Sequence, residues 1–252
     1  MTSDEALVAY TLRLADNALV LSQRMLETVA AEPELEEELA HANFALDFIG
    51  QARMLYTQAG KLEGQGRSED DLAFMRDENE FRNLLLLEQP NGHFGDALVR
   101  QFLFEAFYLH LLEALTRCTD EGLSAIAVRA LKEVQYHFRH SSQWMIRLGD
   151  GTELSHARVQ ASLNAAWRYT GEMFVADEID LSMQENHGGP DLASIQKLWR
   201  RDVEKTVTEA TLSLPDDEWM ASGGKQGQHS EHFGFLIAEM QYLQRSFPGA
   251  TW

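Results

Sequence analysis

Two long segments of this chain repeat with helical spacing and place an acid at the same point. Residues 45–53 read ALDFIGQAR and residues 131–139 read LKEVQYHFR, so Asp47 aligns with Glu133, Gly50 with Tyr136 and Arg53 with Arg139. Positions three apart share a helix face. Helical bundles that hold two metal ions take one Glu from each of two helices and a Glu-x-x-His pair from each of the other two, all pointing inward. Here the acids of that pattern are present, but Gly50 and Tyr136 stand where its histidines would. The pattern therefore asks for long helices packed around a polar layer that is short of nitrogen donors.

The rest of the sequence supplies the helices. Leu7, Tyr10, Leu14, Leu21 and Met25 recur at helical spacing, with Thr2 and Glu5 placed for a capping box. After Pro33 a second helix carries Leu35, Leu39, Ala42, Leu46, Ile49 and Leu62, with acids in its first turn and Gly60 or Gly64 to end it. Short helical pieces follow Ser68, and residues 89–95 (QPNGHFG) read as a turn. A third long helix over 96–118 is apolar on most faces, which implies contacts on more than one side. A fourth over 123–148 stops at the GDG of residues 149–151. Two more helices are expected over 156–176 and 193–212, separated by a loop at 186–190, and a last one runs through Leu236, Met240, Leu243 and Phe247. No segment alternates with period two, so the expected class is all-α, a four-helix bundle with additional helices, and residues 1–252 are expected to form a single domain.

Charge narrows the partners. The formal net charge of −19 argues against nucleic acid or an anionic membrane. No apolar run is long enough to span a bilayer, and Asp4 and Glu5 stand where a signal peptide would be basic, so a cytoplasmic location is expected. The single cysteine, Cys118, cannot form an internal disulfide and reads as a packed helix residue.

The candidate site is a vestigial polar layer in the bundle core. Asp16 and Glu105 are the single inward acids of two helices, Asp47 and Glu133 those of the other two, and Tyr136 and His137 complete the set. His137 lies four residues after Glu133 and shares its face, whereas His41 is out of step with Asp47. The expected partners of these acids are Arg, Tyr, Asn or His side chains, with Arg53 and Arg139 as candidates. On this reading the chain has no catalytic, cofactor-binding or metal-binding residue of its own. The competing reading is an autonomous metal-binding oxidase built on Glu105, Glu133 and His137. A third, a CoA-binding module resting on Lys225 and nearby arginines, is disfavoured by the acidic surplus. Residues 223–229 (GGKQGQH) lack the spacing of a phosphate loop and read as a mobile or partner-contacting loop, and His229 and His232 as surface residues.

Four stretches carry a family likeness: residues 9–25 (AYTLRLADNALVLSQRM), 42–53 (ANFALDFIGQAR), 71–94 (DLAFMRDENEFRNLLLLEQPNGHF) and 223–252 (GGKQGQHSEHFGFLIAEMQYLQRSFPGATW). Through them nearly the whole chain resembles the PaaC-type subunits of bacterial phenylacetyl-CoA 1,2-epoxidases. The resemblance implies a ferritin-like bundle and a non-catalytic, structural role in a multicomponent monooxygenase of aerobic phenylacetate degradation. It implies as partners a PaaA-type catalytic subunit that holds the di-iron centre, a PaaB-type bridging subunit and a PaaE-type reductase. NADPH, flavin and iron–sulfur chemistry are then expected in partner subunits and no cofactor in this chain. The apolar third helix and the C-terminal helix are the expected contact surfaces, and a homodimer would be a second use of the same patch.

Overall fold

The computed structural model describes residues 2–31 and 33–250. Four long helices make the frame: α1 (Ser3–Leu26), α2 (Leu35–Glu63), α5 (Phe94–Leu115) and α6 (Glu121–Gly149). Between α2 and α5 the chain forms α3 (Glu69–Phe74), a 3-10 turn (Glu78–Glu80) and α4 (Leu85–Glu88). After α6 come α7 (Glu153–Trp167), α8 (Glu178–His187), α9 (Leu192–Glu209) and α10 (Glu231–Ser246). Among the described residues there is no strand, and the fold is a ferritin-like four-helix bundle with additional helices.

Local chemistry sets the helix ends. Thr2 accepts from the Glu5 amide while the Glu5 carboxylate takes the Thr2 amide, the capping box expected from the sequence. α2 runs through Gly60 and stops at Gly64, whose φ of 68° closes the helix in the left-handed region. The segment expected as one helix over 156–176 is broken instead. α7 ends at Trp167, a 3-10 turn spans Gly171–Phe174, and α8 starts afresh with Asp177 capping the Ile179 and Asp180 amides. The signal for α8 was present in Asp177 with Asp180, and in Gly188, which ends it at φ 64°.

Packing is organised around α5. Every residue from 97 to 108 is buried, and Phe104 stacks on Tyr108 with ring centroids 5.0 Å apart. The all-round apolarity of this helix is thus spent inside the molecule: α6, α7 and α9 cover it, with Phe102 stacked on Phe138 at 5.8 Å and the Trp199 indole donating to the Leu103 carbonyl. It is not the outward contact surface that its composition suggested. α2 shows the opposite behaviour. Its buried face is Phe44, Phe48, Gln51, Leu55 and Tyr56, while Leu35, Leu39 and Leu46 from the sequence periodicity point to solvent. The C-terminal helix also exposes apolar residues, Phe235 and Tyr242 among them.

Residues 223–229 correct the sequence reading most sharply. This segment is a wedge in the structure rather than a mobile loop. The Glu172 carboxylate accepts from the Gly223, Lys225 and Leu85 amides. Lys225 is buried, with Nζ 2.8 Å from Asp180 and 2.9 Å from the Val175 carbonyl, so it is not available to a phosphate. The His229 side chain is also enclosed, with Nδ1 2.9 Å from the Glu88 carboxylate, which also accepts from the Ser230 amide. Gly224 lies against the Asn83 carbonyl and the Leu85 amide, where a Cβ would collide with backbone. Hydrogen exchange should therefore find residues 223–230 protected at the level of core helices, and Glu172→Ala should release them selectively. Exchange of this segment in the wild-type chain as fast as an open loop would contradict the packing described.

Candidate functional site

Asp16 lies on α1, fully buried. Its carboxylate receives the Tyr56 hydroxyl from α2 at 2.6 Å, the Arg82 amide at 2.8 Å and the Arg76 guanidinium through both terminal nitrogens. Arg76 is itself held by the Leu72 and Glu80 carbonyls and lies over the Phe81 ring at 4.1 Å. Burial alone would weaken the guanidinium's hold on its proton, yet the charge of Asp16 beside it raises its pKa above the ordinary arginine value. The Tyr56 hydroxyl is pushed well up by burial and then by Asp16, so it stays a neutral donor. All the polar demand of this acid is met by the protein's own donors.

A second cluster joins α2, α5 and α6. Glu105 accepts from Gln101 at 2.8 Å and from Ser141 at 2.7 Å, and Nδ1 of His137 lies 3.9 Å away. The other imidazole nitrogen of His137 is 3.0 Å from Asp47, whose side chain reaches the bundle edge. Burial pushes the Glu105 carboxyl up to about 7, against the opposing pull of His137, Ser141 and Gln101. Glu133, one turn before His137 on the same helix, receives Gln51 at 2.9 Å, with Arg129 at 3.5 Å. One turn along, Glu37 and His140 meet at 3.0 Å, and His41 lies against Phe94. The Phe44 ring packs against both His137 and His140, with centroids 4.3 and 5.0 Å away, and divides the two histidine sites.

The sequence expectation thus divides. Asp16, Glu105 and His137 are buried, and Asp47 and Glu133 are part of the same polar belt. They form two separate clusters rather than one layer. Tyr136 is not a member: it is 51% exposed, with its ring edge-on to Phe44 and Arg139 lying over it. The buried arc of α6 runs through Ala130, Val134, His137 and Ser141, which places position 136 on the far side. Arg139 therefore serves Tyr136, and Arg53 reaches Glu69, so neither binds the bundle acids. Arg76, Tyr56, Gln51, Gln101 and Ser141 take that role; arginine and tyrosine are among the expected types, glutamine and serine are not.

Chemically, these positions are poor metal ligands. A carboxylate already neutralised by a guanidinium does not attract a dication, and Gly50 offers no donor. Among the described residues no three His, Cys, Asp or Glu side chains converge as a metal site. Glu105, Glu133 and His137 in particular do not meet, since Glu133 is engaged by Gln51 and Arg129. A di-iron centre does not fit this donor set. Elsewhere, a cleft of about 960 Å³ runs along α9 past Trp199, Lys197, Arg201 and Lys205, with Glu204, Glu209 and Asp217 offsetting its cations. Cys118 is buried, as expected, but in the connection between α5 and α6 rather than in a helix, and burial raises its thiol pKa.

A family model described as phenylacetic acid catabolic protein matches residues 1–252. The chain is also 48% identical, over 246 residues, to the 1,2-phenylacetyl-CoA epoxidase subunit designated C in Escherichia coli (strain K12). That alignment covers 98% of this chain and 99% of the other.

Two substitutions test the clusters. Arg76→Met strands the buried Asp16 charge and should cost about 3–5 kcal/mol in urea unfolding, most of which Asp16→Asn in the same chain recovers. An Arg76→Met chain as stable as wild type would overturn the assignment. For Glu105, the folded chain keeps a proton that the unfolded chain releases from about pH 4.5 upward. Its contribution is therefore complete below that pH and is lost as pH rises through about 7. Glu105→Gln should gain on the wild type across this window by on the order of 1–3 kcal/mol, and parallel stability–pH curves would refute the shift.

Proposed function

Since this chain belongs to the phenylacetic acid catabolic protein family, matched over residues 1–252, we propose that it is a non-catalytic structural subunit of a multicomponent phenylacetyl-CoA epoxidase. In that role residues 1–252 act as one domain that pairs with a PaaA-type di-iron subunit and stabilises it. The whole-length similarity to a protein named as one subunit of such an epoxidase supports the assignment to a complex. The observation that carries the non-catalytic reading is the state of the bundle acids. Asp16 is bound to Arg76 and Tyr56, Glu105 to Ser141 and Gln101, and the aligned histidine positions are Gly50 and an outward Tyr136. Such a bundle keeps the shape of an oxidase while the carboxylates of Asp16 and Glu105 are engaged by the chain's own donors.

The oxygen chemistry then belongs to the partner. The di-iron centre and the acyl-CoA substrate reside in the catalytic subunit, a PaaB-type subunit bridges copies of the pair, and a PaaE-type reductase passes electrons from NADPH through flavin and an iron–sulfur cluster. What this chain contributes is rigidity: the buried Asp16–Arg76 pair and the wedge at 223–229 fix the helices against which a partner packs. The complex is placed in the cytoplasm, where NADPH and the acyl-CoA are made. Among the described residues no helix is long and apolar enough to cross a membrane.

Ring epoxidation of phenylacetyl-CoA, assayed with the reductase and NADPH, tests the proposal. This chain alone should give no product, the catalytic subunit alone should be weakly active or unstable, and the mixture should co-elute and turn over. Product formed by this chain without the catalytic subunit would refute the role, and so would full, lasting activity of the catalytic subunit without this chain.

A further inference from the structure

Among the described residues the buried cations are Arg13, Arg24, Arg76, Arg100 and Lys225. Arg13 meets Asp177 and Asp180, Arg24 meets Glu27, Arg76 meets Asp16 and Lys225 meets Asp180. Arg100 on α5, only 3% exposed, meets no carboxylate. Its guanidinium donates to the Gln89 carbonyl at 2.8 Å and to the side-chain oxygen of Asn91, both neutral, and its Nε finds no acceptor. The two acids whose charge reaches it are already engaged. Glu27 holds Arg24 and the Asn91 amide, and Asp96 holds the Ser162 hydroxyl at 2.6 Å and the His93 amide at 2.9 Å. Burial, and then the like charge of Arg24, lower the Arg100 pKa to about 10 in spite of both acids. A guanidinium held away from water without a counter-charge is costly, and an anion would relieve that cost.

Arg100 lines a cleft of about 210 Å³ together with Arg168, Tyr169, Pro90, Ala166 and Asp96. Arg168 is exposed, lies over the Tyr169 ring at 4.9 Å and donates to its hydroxyl at 2.9 Å, and it too meets no carboxylate. Two guanidiniums against one engaged acid leave the cleft locally positive in a chain of net charge −19. The excess is a single charge, which matches a monoanion better than a dianionic phosphate. Cofactor-sized sites occupy roughly 300–1,000 Å³, so the cleft is too small for a nucleotide or an acyl-CoA. We propose that it binds a small organic carboxylate, the carboxyl group gripped by Arg100 and Arg168 and the apolar body set against Pro90, Ala166 and the Tyr169 ring. Guanidinium donors match the paired oxygens of a carboxylate, and the apolar wall favours a ligand that carries more than its charge. The site is separate from the bundle acids and does not depend on the role in an epoxidase proposed above.

Calorimetric titration of the full chain with phenylacetate, with its neutral amide phenylacetamide and with inorganic phosphate provides the test. Phenylacetate should bind saturably at a single site with a Kd on the order of 1 mM or tighter. Phenylacetamide should not bind, and phosphate should bind more weakly than phenylacetate. Arg168→Ala should weaken phenylacetate binding by about 10-fold with helical circular dichroism unchanged, because the residue is exposed. Arg100→Met should weaken it by about 100-fold or more, and Arg168→Ala carries the test if that buried substitution lowers the helix content. No saturable binding of phenylacetate up to about 10 mM would overturn the proposal. So would equal binding of phenylacetamide, tighter binding of phosphate, or phenylacetate binding that Arg168→Ala leaves untouched.

Discussion

The buried contact between Asp16 and Arg76 is the interaction on which most of this structure leans. Taking a carboxylate and a guanidinium out of water is costly unless each finds further partners. Here Asp16 also holds the Tyr56 hydroxyl and the Arg82 amide, and Arg76 also holds two carbonyls. One node thereby ties α1 to α2 and pins the irregular stretch around Arg76 and Arg82 against both. Gln241 and Arg245 of α10 bond to the carbonyl of Arg76, so the C-terminal helix is seated on the same node. The cation that a bundle acid of this type would otherwise recruit from solution is supplied covalently by the chain.

Several other buried charges are paired in the same way. Arg13 meets Asp177 and Asp180, Lys225 meets Asp180, and His229 meets Glu88. The Arg13 and His229 pairs link N-terminal or central elements to the C-terminal third of the chain, and Lys225–Asp180 ties the glycine-rich stretch to α8 within that third, which explains how the stretch becomes an ordered wedge. Glycine there is a packing requirement, since the backbone at Gly224 lies directly on the backbone of residues 83–85. The outcome is a bundle whose interior polar groups serve architecture, matching the structural role proposed for it in a complex.

How much of this was legible depended on whether the signal was local. Helix existence was readable because apolar spacing and capping residues lie within a few positions of each other, as in Thr2 with Glu5. Buried acids were readable because Asp16 and Glu105 sit within apolar helical runs where a charge stands out. Arg76 was not, since it comes from an irregular segment 60 residues beyond Asp16, and only the tertiary fold brings them together. Tyr136 was misplaced for a geometric reason: three residues make less than a full turn, so sharing a face with Glu133 did not put it in the buried arc that His137 occupies. The periodic leucines of α2 announced a helix correctly but not that they face outward, because two apolar faces on one helix look alike in sequence.

Anaerobic calorimetric titration of the purified chain with ferrous ion tests most directly whether the polar interior is closed to metal. The account predicts no saturable binding, because the acids are already satisfied by Arg76, Tyr56, Ser141 and the two glutamines. Saturable uptake approaching about two ions per chain, as in the di-iron bundles, and abolished by Glu105→Ala, would contradict it.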